Sequence, residues 1–232
     1  MMPEQDVDDT AILIARMRGQ VYGMLAAAFD YPTPDLYVFI ENGAYADSLI
    51  ETVTVLYSDL EDKISGPSVT LCAATSLSEQ EADYLQTFET GVPNPPVPLY
   101  EGLSVHPTER ANILLELKAF FKEFGLTMNK ELRELEDSVT AELEFMQFLA
   151  VKEAQALENG WDRRPYRRAQ RDFMARHLSK WLPKLAQRAG EVPSSFYRSV
   201  AQIAAMFVER DEIAVRDVND DTLLAADLIP ST

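Results

Sequence analysis

Between Gly91 and Gly102 the chain reads Gly-Val-Pro-Asn-Pro-Pro-Val-Pro-Leu-Tyr-Glu-Gly, with four prolines in six consecutive positions. A proline has no backbone N–H and holds φ at about −65°, so neither a helix interior nor a central strand can pass through this stretch. The segment is expected to be a fixed, extended loop of polyproline character. So long a stretch without its own secondary structure is usually functional when it lies inside a compact domain. On either side of it apolar residues recur at steps of three and four, and two-residue alternation is scarce. The two features predict an all-α fold, a single multi-helix domain with one long proline-rich loop in its middle.

Thr10 is placed to cap a first helix reaching about Phe29, with Ile12, Met17, Tyr22, Leu25 and Phe29 on its apolar face. Tyr31-Pro-Thr-Pro34 ends that helix, and Pro34 or Asp35 opens a second. A third is predicted from Ala44 to about Lys63, with Ser65-Gly-Pro67 as a turn and residues 66–77 as an uncharged connector of some strand propensity. Ser78-Glu-Gln-Glu81 matches a capping box and opens a helix to about Glu89. After the proline loop, helices are predicted over about 108–124, 130–159 and 163–189, then from about Pro193 to Glu209 or slightly beyond. The expected organisation is a flexible start at 1–9, a helical domain at 10–210 and an acidic tail at 211–232.

Composition excludes several function classes. A chain of 232 residues buries enough surface to need no disulfide or metal staple. The single cysteine, Cys72, rules out an internal disulfide framework, suits a reducing cytoplasm, and is expected as a small buried apolar residue. No run is long and uncharged enough for a membrane span, and the acidic start Met-Met-Pro-Glu-Gln-Asp is unlike a signal peptide. Two histidines, His106 and His177, and one cysteine cannot build a usual zinc site, and no glycine-rich phosphate loop occurs. His177, one turn from both Phe173 and Trp181, is expected as a core or edge histidine. The reading is therefore a non-enzyme without metal or cofactor.

Charge divides the chain. Residues 1–105 carry three basic residues against seventeen acidic ones, and residues 106–232 carry eighteen against twenty-one. The acidic half repels nucleic acid and anionic lipid and attracts a cationic partner, or simply confers solubility. The one basic patch, Arg163-Arg-Pro-Tyr-Arg-Arg-Ala-Gln-Arg171, either pairs with the acidic half or contacts an acidic partner surface.

Three groups of residues are candidates for binding. Tyr84 and Phe88 share a helical face beside the proline loop, and are either core or one wall of a groove for an apolar peptide. Leu132, Leu135, Val139, Leu143, Met146 and Ala150 form one buried stripe, while Asp137 and Glu144 lie along another. Those carboxylates, with Glu142 one turn after Ser138, are either a solvated face or a receptor for an arginine held by bidentate hydrogen bonds.

Tyr84-x-x-x-Phe88, the loop ending Pro95-x-x-Pro98-x-Tyr100-Glu101, and Asp137-x-x-x-x-Glu142-Leu-x-Phe145-Met146-x-x-Leu149 together resemble the TorD/DmsD/NarJ family. Tyr22, Leu25 and His177-Leu-x-x-Trp181-x-Pro183 are similar to it as well, so the likeness spans about residues 10–210. The resemblance implies an all-helical cytoplasmic chaperone of molybdenum-containing oxidoreductases that binds the twin-arginine signal peptide of its client. It implies a peptide-binding set of Tyr84, Phe88, Pro95, Pro98, Tyr100, Glu101, Asp137, Ser138, Glu142, Glu144, Phe145 and Met146. The partner would be the precursor of a molybdoenzyme catalytic subunit, with no nucleic acid and no stable membrane insertion, and the chain a monomer or homodimer. Ser138 stands where the family usually has histidine, Gly102 where serine is common, and Thr87 where leucine is usual. A helical scaffold without peptide binding, or a protein handling a nucleotide or molybdenum cofactor, are the alternative readings.

Overall fold

The computed structural model describes residues 4–72, 74, 76–104, 107–127 and 135–216, and among them the one extended pairing is a bridge between Tyr100 and Ser138. The all-α expectation holds. Helix α1 (Glu4–Phe29) starts before Thr10, which lies inside it rather than at its cap. The acid-rich sequence of residues 4–9 suits the positive end of a helix dipole. Pro34 opens α2 (Pro34–Glu41), and Thr33 Oγ1 caps it by accepting from Leu36 N–H at 3.2 Å.

The predicted third helix divides in two. Helix α3 (Ala44–Leu56) ends at Tyr57, whose φ of −142° leaves the helical region, and α4 (Glu61–Val69) runs on through the expected turn at Ser65-Gly-Pro67. The break lets the Tyr57 hydroxyl reach Asp211 in the last helix, a tertiary contact that overrides local propensity. Helix α5 (Leu77–Tyr84) is capped by Ser76 rather than Ser78, with Ser76 Oγ accepting from Glu79 N–H at 3.2 Å. Ser76-Leu-Ser-Glu79 carries the same capping spacing two residues earlier. Residues Leu85–Glu89 widen into a π turn, closed by Thr90 N–H on Leu85 O at 2.8 Å.

Residues 90–100 then cross the surface without helix. Val97, Pro98 and Leu99 are buried. Val97 N–H donates to Thr87 O at 3.0 Å and Leu99 O accepts from Val139 N–H at 2.8 Å, so the loop is stitched to the π turn after α5 at one end and to α8 at the other. After α6 (Glu101–Ser104) and α7 (Arg110–Glu123) come α8 (Val139–Glu158), α9 (Arg164–Arg176), α10 (Leu178–Ala189) and α11 (Ser195–Arg216). Three expectations change here. Helix α8 begins at Val139, not near 130, with Ser138 as its cap. The helix predicted over 163–189 is interrupted at His177, at φ −123° and ψ −92°. The last helix runs past Glu209 to Arg216, and Asp211 is fully buried inside it. Residues 217–232 lie outside the described part, as do His106 and Leu132.

Helix α1 lies along α8, with Gly19 facing Ala150 and Val151, and α9, α10 and α11 complete the bundle. Its central core is continuous from Tyr22, Leu25 and Phe29 through Leu143 and Met146 to Trp181, Val200 and Phe207. No helix among the described residues is long and apolar enough to cross a membrane.

Candidate functional site

The end of the proline loop and the start of α8 are held side by side. Glu101 N–H donates to Asp137 O at 2.8 Å, and Tyr100 pairs with Ser138. This suture brings Glu101 from α6, Asp137 from the preceding turn and Glu142 from α8 into one site, all of them buried. Each carboxylate meets a different partner. Asp137 accepts from Arg110 Nε at 3.0 Å (Oδ2) and Arg110 Nη2 at 3.3 Å (Oδ1), with Gly102 N–H adding a third bond at 3.3 Å. Glu101 Oε2 lies 2.9 Å from His177 Nδ1, and His177 Nε2 lies 3.3 Å from Glu116 Oε1. Glu142 Oε2 accepts from Trp181 Nε1 at 3.0 Å. The kink at His177 aims that ring into the site, which an unbroken helix over 163–189 would not.

Glu142 is the unusual member. Its Oε1 is buried without a donor and faces the Glu101 carboxyl. Burial, then the charges of Glu101 and Asp137, push the Glu142 carboxyl well above the ordinary value of 4.5, and the Trp181 hydrogen bond only partly opposes this. A protonated Glu142 carboxyl can donate to Glu101 and so supply the missing bond. A carboxyl raised on folding contributes stability that is fully present below its unfolded pKa and is lost as pH rises through its folded value. Glu142→Gln keeps an acceptor for Trp181 and removes the ionisation. Urea unfolding at pH 5, 6.5 and 8 is expected to show the wild type weakening relative to the variant as pH rises. Parallel pH profiles would show that Glu142 does not carry this pH dependence.

The remaining predicted residues distribute unevenly. Ser138 caps α8, its Oγ accepting from Ala141 N–H at 3.1 Å, which is a structural task for the residue that departs from the family histidine. Tyr84 and Phe88 are core rather than an open groove wall: their rings lie 5.2 Å apart and pack edge-on against Tyr197 and Phe29. Pro98 is buried, Pro95 and Tyr100 are half-buried, and Tyr100 lies beneath the Arg110 guanidinium at 5.4 Å. Met146 is wholly buried and Phe145 is the hub of an aromatic cluster. Glu144 is exposed and does not share a face with Asp137. The two were paired on helical spacing, but Asp137 precedes the cap and follows no helical step.

Other expectations are corrected too. Cys72 is exposed, not buried. Among the described contacts the basic patch turns elsewhere than to the acidic first half: Arg163 and Arg167 reach buried Glu153 at 4.0 and 3.5 Å, while Arg164 and Arg171 pair with Asp162 and Asp172, each at 2.9 Å. Helical spacing gave no sign of Arg110 or Glu116, which reach the site from α7. Among the described residues no cluster of side chains is arranged to hold a metal ion.

Residues 47–187 match the family model described as nitrate reductase delta subunit. The chain belongs to this family. Among relatives of this delta-subunit family, the chain is 37% identical over 196 residues to the perchlorate reductase assembly chaperone protein of Dechloromonas aromatica, covering 83% of this chain and 87% of that one. It is 40% identical over 116 residues to the selenate reductase assembly chaperone protein of Thauera selenatis, covering 50% of this chain and 60% of the relative. A crystal structure from Archaeoglobus fulgidus, described as a redox enzyme maturation protein, shares the fold at a TM-score of 0.50 and 17% identity, over 83% of this chain and 94% of that one. The delta-subunit match thus covers the loop, α6, α7, α8 and the His177–Trp181 turn, and so the whole carboxylate site.

Proposed function

We propose that the chain is a cytoplasmic assembly chaperone that binds the twin-arginine signal peptide, the apo catalytic subunit, or both, of a molybdenum-containing oxidoreductase. It holds that client for cofactor insertion before export, by reversible binding with no bond made or broken. The convergence of Glu101, Asp137 and Glu142 carries the reading. These are acidic side chains in a low-dielectric site, and the one guanidinium that reaches it among the described contacts, that of Arg110, bonds to Asp137 alone. Such a site discriminates in favour of arginine, because a planar guanidinium can satisfy a carboxylate through two bonds at once. The names of the perchlorate and selenate reductase chaperones support a reductase of that class as client. Selectivity comes from the buried charges and most of the affinity from the apolar stretch that follows the arginines.

Calorimetric titration with signal peptides of the host's molybdoenzyme precursors tests this. One peptide is expected to bind saturably, and Asp137→Asn to weaken it about tenfold, the loss of one charge-assisted bond. Replacing both peptide arginines with lysine should weaken it likewise. Absence of binding to every peptide, with the protein folded, would overturn signal-peptide recognition.

A further inference from the structure

Helix α7 is attached to the body in a way no other long helix is. Its backbone stands off α8 and α9, and bulky rings bridge the gap. Phe121 lies 4.8 Å from Phe145, Phe120 lies 5.3 Å from Phe173, and Phe124 lies 5.9 Å from Tyr166 and 6.3 Å from Phe148. At its first residue, Arg110 holds buried Asp137 through two bonds. The remaining ties are Leu117, wholly buried in the core, the approach of Glu116 Oε1 to His177 Nε2 at 3.3 Å, and rim ion pairs of Lys118 with Glu136 at 3.5 Å and Arg176 with Glu116, of a kind that holds little when exposed. Along its axis α7 therefore presents an arginine, then Leu117, Phe120, Phe121 and Phe124 at steps of three and four. This is the anchor pattern of a helix bound in a groove.

We infer that α7 is a resident pseudo-ligand: the aromatic groove of α8 and α9, with Asp137 at its head, accepts an incoming helical segment made of arginine followed by an apolar face, and α7 leaves to admit it. Identifying that segment as a signal peptide rests on the function proposed above. The inference explains why the acidic site is closed here: Arg110 already occupies it. A client arginine would replace Arg110 on Asp137, and a second would meet the Glu101 and Glu142 carboxyls, which no guanidinium reaches among the described contacts.

Gly102 makes this seat possible. A methyl group added there would overlap Arg110 Cβ and Cγ, atoms too close to the α7 backbone to move alone. Gly102→Ala is therefore expected to expel Arg110 while leaving every charge in place.

The test is hydrogen–deuterium exchange of the full chain, alone and with a synthetic peptide of two arginines followed by an apolar stretch of about 12 residues. Alone, amides of residues 110–123 are expected to exchange by local opening, well ahead of α8. With peptide they should exchange faster still, while α8 and α9 slow. Arg110→Gln and Gly102→Ala should each bind the peptide about tenfold tighter, because the competent state is no longer a minor fraction. Exchange of α7 only together with α8 would overturn the inference. So would peptide binding with α7 protection unchanged, or weaker binding by both variants, and each of these leaves the signal-peptide reading standing. Failure of the wild type and both variants to bind, with α7 opening freely, would remove the signal-peptide reading and the proposed ligand with it.

Discussion

Asp211→Ala is expected to lower the unfolding free energy by about 3–5 kcal/mol, a large share of the roughly 5–15 kcal/mol that holds a domain together. Asp211 is wholly buried and satisfies three side chains at once, two from α1 and one from the break after α3. Arg18 Nε and Nη2 donate to it at 2.5 and 2.8 Å, the Tyr22 hydroxyl at 2.6 Å, and the Tyr57 hydroxyl completes the set. Arg18 also reaches Glu153 at 3.2 Å, and Gln170 donates to the same carboxylate at 2.9 Å. Removing Asp211 leaves the Arg18 guanidinium buried with Glu153 alone and strands two phenols. The network also responds to acid. Burial opposes ionisation of Asp211, but Arg18 and the two hydroxyls outweigh it and hold the carboxyl below its ordinary 3.8. A carboxyl lowered on folding contributes stability that is present above its unfolded pKa and is lost as pH falls through its folded value. Asp211 thus weakens the fold as pH falls and Glu142 as pH rises. Thermal and urea unfolding would decide the matter, and a loss under 1 kcal/mol for Asp211→Ala would show that solvent relaxes into the site.

The other large effect is expected at Phe145, where alanine should cost about 3–5 kcal/mol through lost burial and the cavity left behind. Its ring lies 4.8 Å from Phe121, 4.9 Å from Phe173, 5.9 Å from Phe124 and 6.4 Å from both Phe120 and Phe148. Phe120 and Phe121 belong to α7 and Phe124 caps its end, so the variant should also raise exchange across residues 110–123 more than in α1 or α11. Phe145→Leu, which refills part of the cavity, is expected to lose about half as much. Equal losses for alanine and leucine would mean that ring geometry rather than volume sustains the cluster.

The all-α fold and the interruption at residues 91–102 were legible because both rest on local rules: the 3.6-residue period and the backbone restriction of proline. The breaks at Tyr57 and His177 were not legible. Each occurs where a side chain must leave its helix to reach a distant carboxylate, Asp211 in one case and Glu101 in the other. No spacing encodes a partner 154 or 76 residues away. At the candidate site, Asp137 and Glu142 were named on helical spacing and Glu101 with the motif resemblance, and the structure brings the three together. Arg110 and Glu116 escaped notice because a charge at the start of a helix, or amid an otherwise apolar one, reads as solvated. Glu144 was named on helical spacing counted from Asp137, a residue outside the helix. Tyr84 and Phe88 show the ambiguity of apolar spacing, which is the same for a core pair and a groove wall.

The contact between Arg18 and Asp211 spans 193 residues of chain. A ribosome adding about 5–20 residues per second needs about 10–40 s to travel that far, and the growing chain cannot close until it has. During that interval α1 exists without its counter-ion, and Val21, Tyr22, Leu25 and Phe29 lack the last helix that covers them. Closure of so distant a pair is also a slow step in refolding, since loop entropy must be met before the bond forms. A protein proposed to shelter an unfinished partner therefore passes through an unfinished state of its own, in which truncation before α11 yields a sticky, unclasped bundle rather than a smaller working one.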